Sequence, residues 1–257
     1  MHFRLSPFLI ALFFIIPGYA QESATTDFTG QIKSYDLSVI LTADSILLED
    51  RVDKKDKIKR AEIRGFIGDD FQRLQIHFIS VIQNPANPLE YYAYGKSRVK
   101  KTICSFQGII TIKQARLYTN GDIPEYKQGY TVCEVVLYED KKQQSTGYFK
   151  GQLKSHFIID HKGEFRYDAI MFAADGFSNN QFVGTWTSYR NSTVKKCHWG
   201  DYRIPECGNL DVGAGEFMVN EDYLKNGWET YMTAWLSMKE TPEVIEARKK
   251  ETEQWWR

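Results

Sequence analysis

The segment 197–207, CHWGDYRIPEC, holds the side chains best suited to binding another molecule. It brings Trp199, Asp201, Tyr202 and Arg203 close together, and Trp, Tyr and Arg are the residues that most often anchor interfaces. Loops held on a rigid scaffold are where binding residues concentrate. The same side chains could instead pack beneath the loop, with Asp201 and Arg203 paired to each other. Both interpretations stay open at this point.

Candidate catalytic motifs in the chain are incomplete. The run 95–97, Gly-Lys-Ser, matches only the end of a phosphate-binding loop, because Glu90 stands where the first glycine is required. The run 176–180, GFSNN, lacks the last glycine of a nucleophile elbow. Alternate spacing puts His156 and Asp160 on one strand face, but two such residues alone seldom make a site. We therefore name no catalytic residue and no cofactor, and we favour a function that is not enzymatic.

An internal repeat indicates how the chain curves. The pattern aromatic-x-Gly-x-apolar occurs at 28–35 (FTGQIKSY), 149–156 (FKGQLKSH) and 182–189 (FVGTWTSY), and more loosely at 106–112 (FQGIITI). Glycine inside a strand usually marks a bend or the close approach of another backbone, and repeated bends help a sheet to close on itself. The copies are unevenly spaced, which excludes a solenoid of fixed period, and chance recurrence is the alternative explanation.

The repeat also suggests a set of interior residues. Ser34, Ser155 and Ser188 follow the large apolar residue of each copy on the same strand face, which would place small hydroxyls in or near the interior. Together with Trp186 they could line a cavity with aromatic walls and a few polar groups, the usual form of a small-ligand site. Small barrels are otherwise filled by their own side chains, and we favour that filled interior.

Alternation of apolar and polar residues predicts many strands. In 73–82, Leu74, Ile76, Phe78 and Ile82 share one face, while Gln75 and His77 lie on the other. Further strands are predicted at 28–41, 58–67, 90–99, 102–118, 130–138, 146–160, 165–172 and 180–190, with short turns between them. The predicted fold class is mainly β: an antiparallel meander that closes into a β-barrel or coiled sandwich.

One motif suggests a family. The tripeptide Gly184-Thr-Trp186 resembles the G-x-W that opens the first barrel strand of lipocalins and avidins, the calycin group. The resemblance implies an antiparallel barrel that binds small apolar ligands in its mouth, which is compatible with the repeated F-x-G strands. We transfer no ligand residue from it.

The N-terminus has the pattern of a cleavable signal peptide. Arg4 precedes the apolar run 8–16, which is followed by the helix breaker Pro17 and the small residue Ala20. An apolar run this short cannot cross a bilayer, which needs about 20 residues. We predict that residues 1–20 are removed and that the protein is periplasmic or secreted in a bacterium.

The four cysteines, Cys104, Cys133, Cys197 and Cys207, all lie in the predicted exported part. An even number of cysteines in an oxidising compartment favours disulfides, and bridges between Cys104 and Cys133 and between Cys197 and Cys207 would close the shortest loops. The second bridge would hold the 197–207 segment in a stiff frame. The C-x-x-C spacing typical of zinc sites is missing, so we expect no metal.

The remaining chain divides into a β domain at 21–218 and a helical C-terminal segment at 219–257. In the latter, Trp228, Tyr231 and Trp235 recur at helical spacing, and Thr241 followed by Pro242 is typical of a helix start. This segment could plug one end of the sheet, pack outside it or hold a partner.

Charge excludes some partners. The sequence has 33 basic and 33 acidic residues, and loss of residues 1–20 removes only Arg4 from them, which leaves a net charge of −1. Such a balance provides no broad field for phosphate backbones or anionic lipid, so we predict no nucleic-acid partner. We also expect no membrane-spanning segment in the mature chain.

The sequence therefore predicts an exported binding protein whose ligand it does not identify. A small apolar ligand or an envelope protein is the expected partner. The first alternative is an interaction module that uses the 197–207 loop and the Trp-rich tail. A hydrolase acting on envelope polymers is the second, since β folds accept grafted sites.

Overall fold

The computed structural model describes residues 24–49 and 55–257. The signal peptide predicted at 1–20 lies outside the described residues, so it stays a prediction. None of the helices within the described ranges is both long and apolar enough to cross a membrane.

Strands dominate the described residues. They are β1 (Thr25–Asp27), β2 (Ser45–Glu49), β3 (Lys55–Lys59), β4 (Ile63–Ile67), β5 (Gln72–Asn84), β6 (Asn87–Val99), β7 (Thr102–Tyr118), β8 (Lys127–Glu139), β9 (Gly147–Ile159), β10 (Phe165–Tyr167), β11 (Asn179–Ser188) and β12 (Val194–Asp201). The helices are α1 (Ser38–Leu41), α2 (Glu229–Leu236) and α3 (Pro242–Glu251), with 3₁₀ turns at Gln31–Ser34, Gly208–Leu210 and Glu221–Asn226.

A ring of eight strands forms the body of the molecule. Strands β4 to β9 pair in chain order as antiparallel neighbours, β11 pairs with β9, and β12 pairs with β11. The ring closes where residues 197–200 of β12 lie opposite residues 64–67 of β4. The prediction of a mainly β, antiparallel meander that closes on itself and is followed by C-terminal helices is confirmed.

Aromatic side chains fill the inside of this ring. Phe106, Phe149 and Phe182, the first residues of three repeat copies, are all buried there. Phe182 stacks on Trp199, with ring centroids 3.6 Å apart and planes tilted by 10°. Side chains of this size occupy the space that a small closed sheet encloses.

The repeat glycines allow two strands to approach closely. Gly151 in β9 lies directly opposite Gly184 in β11. A Cβ atom at Gly184 would collide with the Lys150 carbonyl oxygen and would lie 2.6 Å from Cζ of Phe182, whose ring covers both glycines. The expectation that these glycines mark close backbone contacts is confirmed.

The first repeat copy does not form a strand. Residues 28–41, predicted as a strand, contain the 3₁₀ turn Gln31–Ser34 and helix α1 instead. Leu37, Ile40 and Leu41 recur at helical spacing and are fully buried, and the backbone N–H of Leu37 donates to the Tyr91 hydroxyl at 3.0 Å. The segment thus plugs one end of the ring, a position that the sequence analysis considered only for the C-terminal helices.

The C-terminal segment packs against the outside of the ring. A second core lies there, made of Phe66, Ile204, Leu210, Phe217, Val219, Trp228 and Tyr231. Because side chains alternate along β4, Phe66 faces this outer core while its neighbour Ile67 faces the ring interior. The wall formed by β4, β5 and β12 is therefore covered on both faces.

The predicted disulfides are wrong, because all four cysteines are free and buried. Cys133 lies opposite Ile112 on β7, eight positions along that strand from Cys104, which is about 26 Å at 3.3 Å per residue. Cys197 belongs to the interior core and Cys207 to the outer core, so the sheet separates them. Neither pair meets the geometry that a disulfide requires.

Candidate functional site

The segment 197–207 is not a bridged loop. Residues up to Asp201 belong to β12, and Trp199 and Asp201 are fully buried. Tyr202 then turns the chain with a positive φ of 63°. The strand therefore divides the predicted binding residues: Trp199 lies in the ring core and Asp201 at the plugged end, while Tyr202 and Arg203 leave the sheet.

Asp201 stabilises the plugged end of the ring. Its Oδ2 accepts hydrogen bonds from the Tyr167 hydroxyl at 3.0 Å and from Nδ2 of Asn180 at 2.7 Å. Burial raises the pKa of the Asp201 carboxyl, and the nearby charge of Arg60 opposes that shift. Such a group ties β12 to β10 and β11 rather than facing a ligand.

Arg203 organises the loop that follows β12. It pairs with Asp211 at 2.6 Å and also donates to the carbonyl oxygens of Gly213 at 2.7 Å and Gly215 at 2.9 Å. The expected pairing of Asp201 with Arg203 is not present, because each has other partners. By fixing 211–215, Arg203 sets the position of Phe217 just beyond.

The residues predicted to line an interior cavity do not come together. Ser155 is buried inside the ring, but Ser34 is exposed in its 3₁₀ turn, because the first repeat copy is not a strand. Ser188 and Trp186 lie at the end of the ring opposite the plug, where Nε1 of Trp186 donates to Oε2 of Glu139 at 2.9 Å. Trp186 therefore covers an end of the filled ring.

An apolar pocket of about 520 Å³ lies between the β3–β4 region and the C-terminal segment. We call it the outer pocket. Its apolar walls come from four separate parts of the chain: Phe172, Tyr202, Phe217, and Tyr231, Trp235 and Leu236. Ligand pockets typically enclose roughly 300–1,000 Å³ and combine apolar walls with a few polar groups. The outer pocket has this size and character.

Arg64 provides the main polar feature of the outer pocket. Its guanidinium carbon lies 4.9 Å from the ring centroid of Tyr231 and 5.6 Å from that of Phe217. It also donates to the Tyr231 hydroxyl at 2.5 Å. Among the ion pairs of residues 24–49 and 55–257, none includes Arg64.

The other two arginines of the outer pocket are engaged. Arg73 binds both carboxylate oxygens of Glu251, at 2.8 and 2.6 Å. Arg60 donates to the carbonyl oxygens of Ile40 and Leu41 at 2.7 and 3.0 Å. Arg64 is therefore the guanidinium of this pocket that can still bind a carboxylate or another anion.

Sequence reasoning identified little of the outer pocket. It named Tyr202 as a binding residue and noted Tyr231 and Trp235 only as helical repeats. Arg64 and Phe66 did carry a signal, because two large residues at outward positions of one strand indicate that its outer face is covered. Phe172 and Phe217 come from irregular segments, for which no periodic pattern exists.

A second, polar pocket of about 380 Å³ includes His156. The alternate spacing in the sequence predicted that His156 shares a strand face with Asp160. Asp160 instead accepts hydrogen bonds from the backbone of its own turn and pairs with Arg166 at 3.0 Å. In the polar pocket, Nε2 of Gln128 donates to Asp122 at 3.0 Å and to Asp168 at 2.8 Å. Burial lowers the pKa of His156 to about 4, so the ring is neutral at physiological pH.

Comparison of the chain with protein-family models, curated proteins and solved structures finds no match. The resemblance of 184–186 to the calycin motif thus stays a prediction.

Proposed function

We propose that the protein is an exported, non-catalytic binding protein whose outer pocket holds a small amphipathic ligand with an anionic group. The observation that carries the proposal is the Arg64 guanidinium, framed by the rings of Tyr231 and Phe217 in an apolar pocket and without a carboxylate partner among the described residues. Export, to the periplasm or beyond, is supported by the signal-peptide pattern at 1–20.

The chemistry of the pocket defines the ligand class. A guanidinium on aromatic faces is weakly hydrated and binds carboxylate, phosphate or sulfonate groups through two parallel hydrogen bonds. The apolar walls favour a hydrocarbon or aromatic body. Glu251 is already neutralised by Arg73, and Glu216 lies exposed at the rim, so neither would strongly repel an anion beside Arg64.

The filled ring supports a site outside the sheet. The mouth of a barrel would be the expected place if the calycin resemblance extended to the ligand. Here the buried rings of Phe149, Phe182 and Trp199 occupy the interior, and the N-terminal segment plugs one end. The largely apolar outer pocket therefore suits a small ligand better.

An interaction with an envelope protein is the second candidate. The Trp-rich tail is engaged within the chain, since Trp255 is buried beneath Arg98 and Trp256 stacks on His77 with centroids 3.7 Å apart. What favours a partner is the exposed apolar group at the end of α2, Trp235 and Leu236, each about half exposed. A partner there would cover the rim of the outer pocket.

The first test is native mass spectrometry of the mature protein from its own host, before and after denaturation. We expect a retained small anion that is lost on unfolding. The second test is titration of ligand-free protein with laurate and with 1-dodecanol. Arg64→Met should weaken laurate binding at least about ten-fold, because the charge-assisted hydrogen bonds are lost, and should leave dodecanol binding nearly unchanged.

The matched control is Lys150→Met, which removes an exposed positive charge from β9 outside the outer pocket. It should bind laurate like the wild type. Equal laurate affinity in the wild type and Arg64→Met would contradict the assigned role of Arg64. Absence of binding by either amphiphile, together with a clean apo mass, would refute the proposed function.

A further inference from the structure

A row of tyrosines crosses the outer face of the ring outside the outer pocket. Tyr94 on β6 lies opposite Gln107 on β7, which lies opposite Tyr138 on β8, which in turn lies opposite Tyr148 on β9. Tyr189, just after β11, extends the row. The ring centroids of Tyr138 and Tyr148 are 5.9 Å apart, and those of Tyr148 and Tyr189 are 6.1 Å apart.

The alternation of the strands turns these rings outward. Tyr94 lies between Ala93 and Gly95, which face the interior, and Tyr138 lies between the buried residues Leu137 and Glu139. Outward positions of a sheet that faces water are usually polar. Tyr94 and Tyr138 are instead 44% and 51% exposed, and a contiguous exposed aromatic surface commonly marks a binding site.

Three tyrosines of the row, Tyr94, Tyr138 and Tyr189, line a shallow pocket of about 700 Å³ with polar groups at its edge. Gln107 and the loop residues Asp140 and Lys141 provide hydrogen-bond donors and acceptors there. The ammonium of Lys141 lies 4.9 Å from the Tyr189 ring centroid. The Tyr189 hydroxyl is buried and has no hydrogen-bond partner in the described part of the chain, a state that calls for an explanation.

We propose that this tyrosine row binds a neutral oligosaccharide. The C–H groups on the flat face of a sugar ring carry a small positive charge and fit the negative face of an aromatic ring. Sugar hydroxyls both donate and accept hydrogen bonds, which matches the donors and acceptors of Gln107, Asp140 and Lys141. Of the two carboxylates in the lining, that of Glu139 is buried and accepts hydrogen bonds from Ser97, Gly147 and Trp186. The exposed charges of Asp140 and Lys141 offset each other, which favours a neutral ligand over a polyanion.

The site is independent of the outer pocket, and the proposal goes beyond the small amphipathic ligand assigned there. A protein or a second copy of the chain could also cover exposed tyrosines. The mixed donors and acceptors of Gln107, Asp140 and Lys141 favour a ligand that can hydrogen-bond at many points. The other occupants are outcomes of the test.

The test is calorimetric titration of the mature protein with cellohexaose, maltohexaose and the hexamer of N-acetylglucosamine. At least one hexasaccharide should bind, and Tyr94→Ala and Tyr138→Ala should each weaken that binding roughly ten-fold, since each removes one stacking ring. Both side chains are exposed, so neither change removes core packing. Tyr92→Ala is the control, because Tyr92 is 49% exposed on the same strand but does not line the pocket.

Three results would overturn the proposal. The first is that none of the hexasaccharides binds at millimolar concentration. The second is that one of them binds with equal affinity to the wild type, Tyr94→Ala and Tyr138→Ala. The third is a wild-type dimer, detected by sedimentation, that Tyr138→Ala dissociates, which would make the row an interface between copies. Arg64→Met should leave oligosaccharide binding unchanged, so failure here and failure of the outer-pocket proposal are distinguishable.

Discussion

The same repeat position should respond in opposite ways to one substitution. Gly30 and Gly184 both stand two residues after a phenylalanine in the F-x-G pattern. Gly184 lies between two strands of the ring, whereas Gly30 precedes a 3₁₀ turn in the αR conformation, with φ of −69° and ψ of −42°. We predict that Gly184→Ala destabilises the fold and that Gly30→Ala does not.

The distances around Gly184 indicate how strongly Gly184→Ala should destabilise the fold. A methyl group at Gly184 would overlap the Lys150 carbonyl oxygen and would lie 2.6 Å from Phe182 and 2.8 Å from Cα of Gly151. Overpacking of a core costs about 1–3 kcal/mol, and backbone neighbours cannot move without disturbing the β9–β11 pairing. We therefore expect a loss of about 3 kcal/mol or more in the free energy of unfolding.

Gly30 is the matched control because a Cβ there has no neighbour within 4 Å. Alanine adopts the αR conformation more readily than glycine, since it loses less backbone entropy on folding. Gly30→Ala should thus raise the free energy of unfolding by about 0.5 kcal/mol.

Urea unfolding of the mature protein, followed by tryptophan fluorescence, measures both effects. With a slope of about 3 kcal/mol per molar urea, the Gly184→Ala midpoint should fall by about 1 M or more. The Gly30→Ala midpoint should rise slightly. If the two variants unfold at the same urea concentration, the assignment of Gly184 to a close strand contact is wrong.

Two further predictions concern buried ionisable groups. Burial lowers the pKa of His156 from its usual value of 6.5 to about 4, so the stabilisation by the neutral ring is complete above pH 6.5 and is lost as the pH falls toward 4. Between about pH 8 and about pH 5, the free energy of unfolding of the wild type should fall by about 2 kcal/mol more than that of His156→Gln. The control is His161→Gln, at an exposed histidine. Parallel urea midpoints for the wild type and His156→Gln across this range would contradict it. Glu251→Gln should cost about 3 kcal/mol, because it leaves the guanidinium of Arg73 without its carboxylate in a nearly dry contact, whereas Glu240→Gln at an exposed pair should cost at most about 0.5 kcal/mol. Equal urea midpoints for these two variants would show that the Arg73 contact is worth no more than a surface pair.

Strand positions could be inferred from the sequence because one buried face imposes a period of two. The predicted strand 102–118 matches β7, Thr102–Tyr118. Of the residues predicted to share the inward face of 73–82, Leu74, Ile76 and Phe78 are buried, but Ile82 is 61% exposed, because the β5–β6 pairing shifts register between Phe78 and Ser80. Asn84 and Pro85, residue types typical of turns, stand where β5 ends. These features depend only on neighbours along the chain.

Strand β12 was not predicted, because the pair of cysteines at 197 and 207 outweighed the alternation typical of a strand. Cys197 and Cys207 suggested a bridged loop, although Cys197, Trp199 and Asp201 alternate with outward residues as strand residues do. The inward face of β12 did not read as apolar because it includes Asp201, and an isolated carboxylate is rarely buried in a core. Its partners, Tyr167 and Asn180, are distant in sequence and could not be inferred from it.

The outer pocket lay almost entirely beyond sequence reasoning. Its walls come from 58–64, 172, 202, 216–217 and the C-terminal helices, which meet only after the tail folds back over β4 and β5. No local period encodes such a meeting. Tyr202 was named as a binding residue, but for a loop that the structure does not contain.

The sequence alone determined the mainly β class, the antiparallel order of neighbouring strands and the helical character of the tail, because each follows from local alternation, turn residues and helix caps. Only the tertiary structure decided that β12 closes the ring onto β4, that 28–41 plugs one end and that the cysteines stay apart. Those outcomes depend on which surfaces bury one another over long sequence separations. The F-x-G pattern itself became a strand contact at Gly184 and an open turn at Gly30, because packing partners, and not the pattern, fixed its conformation.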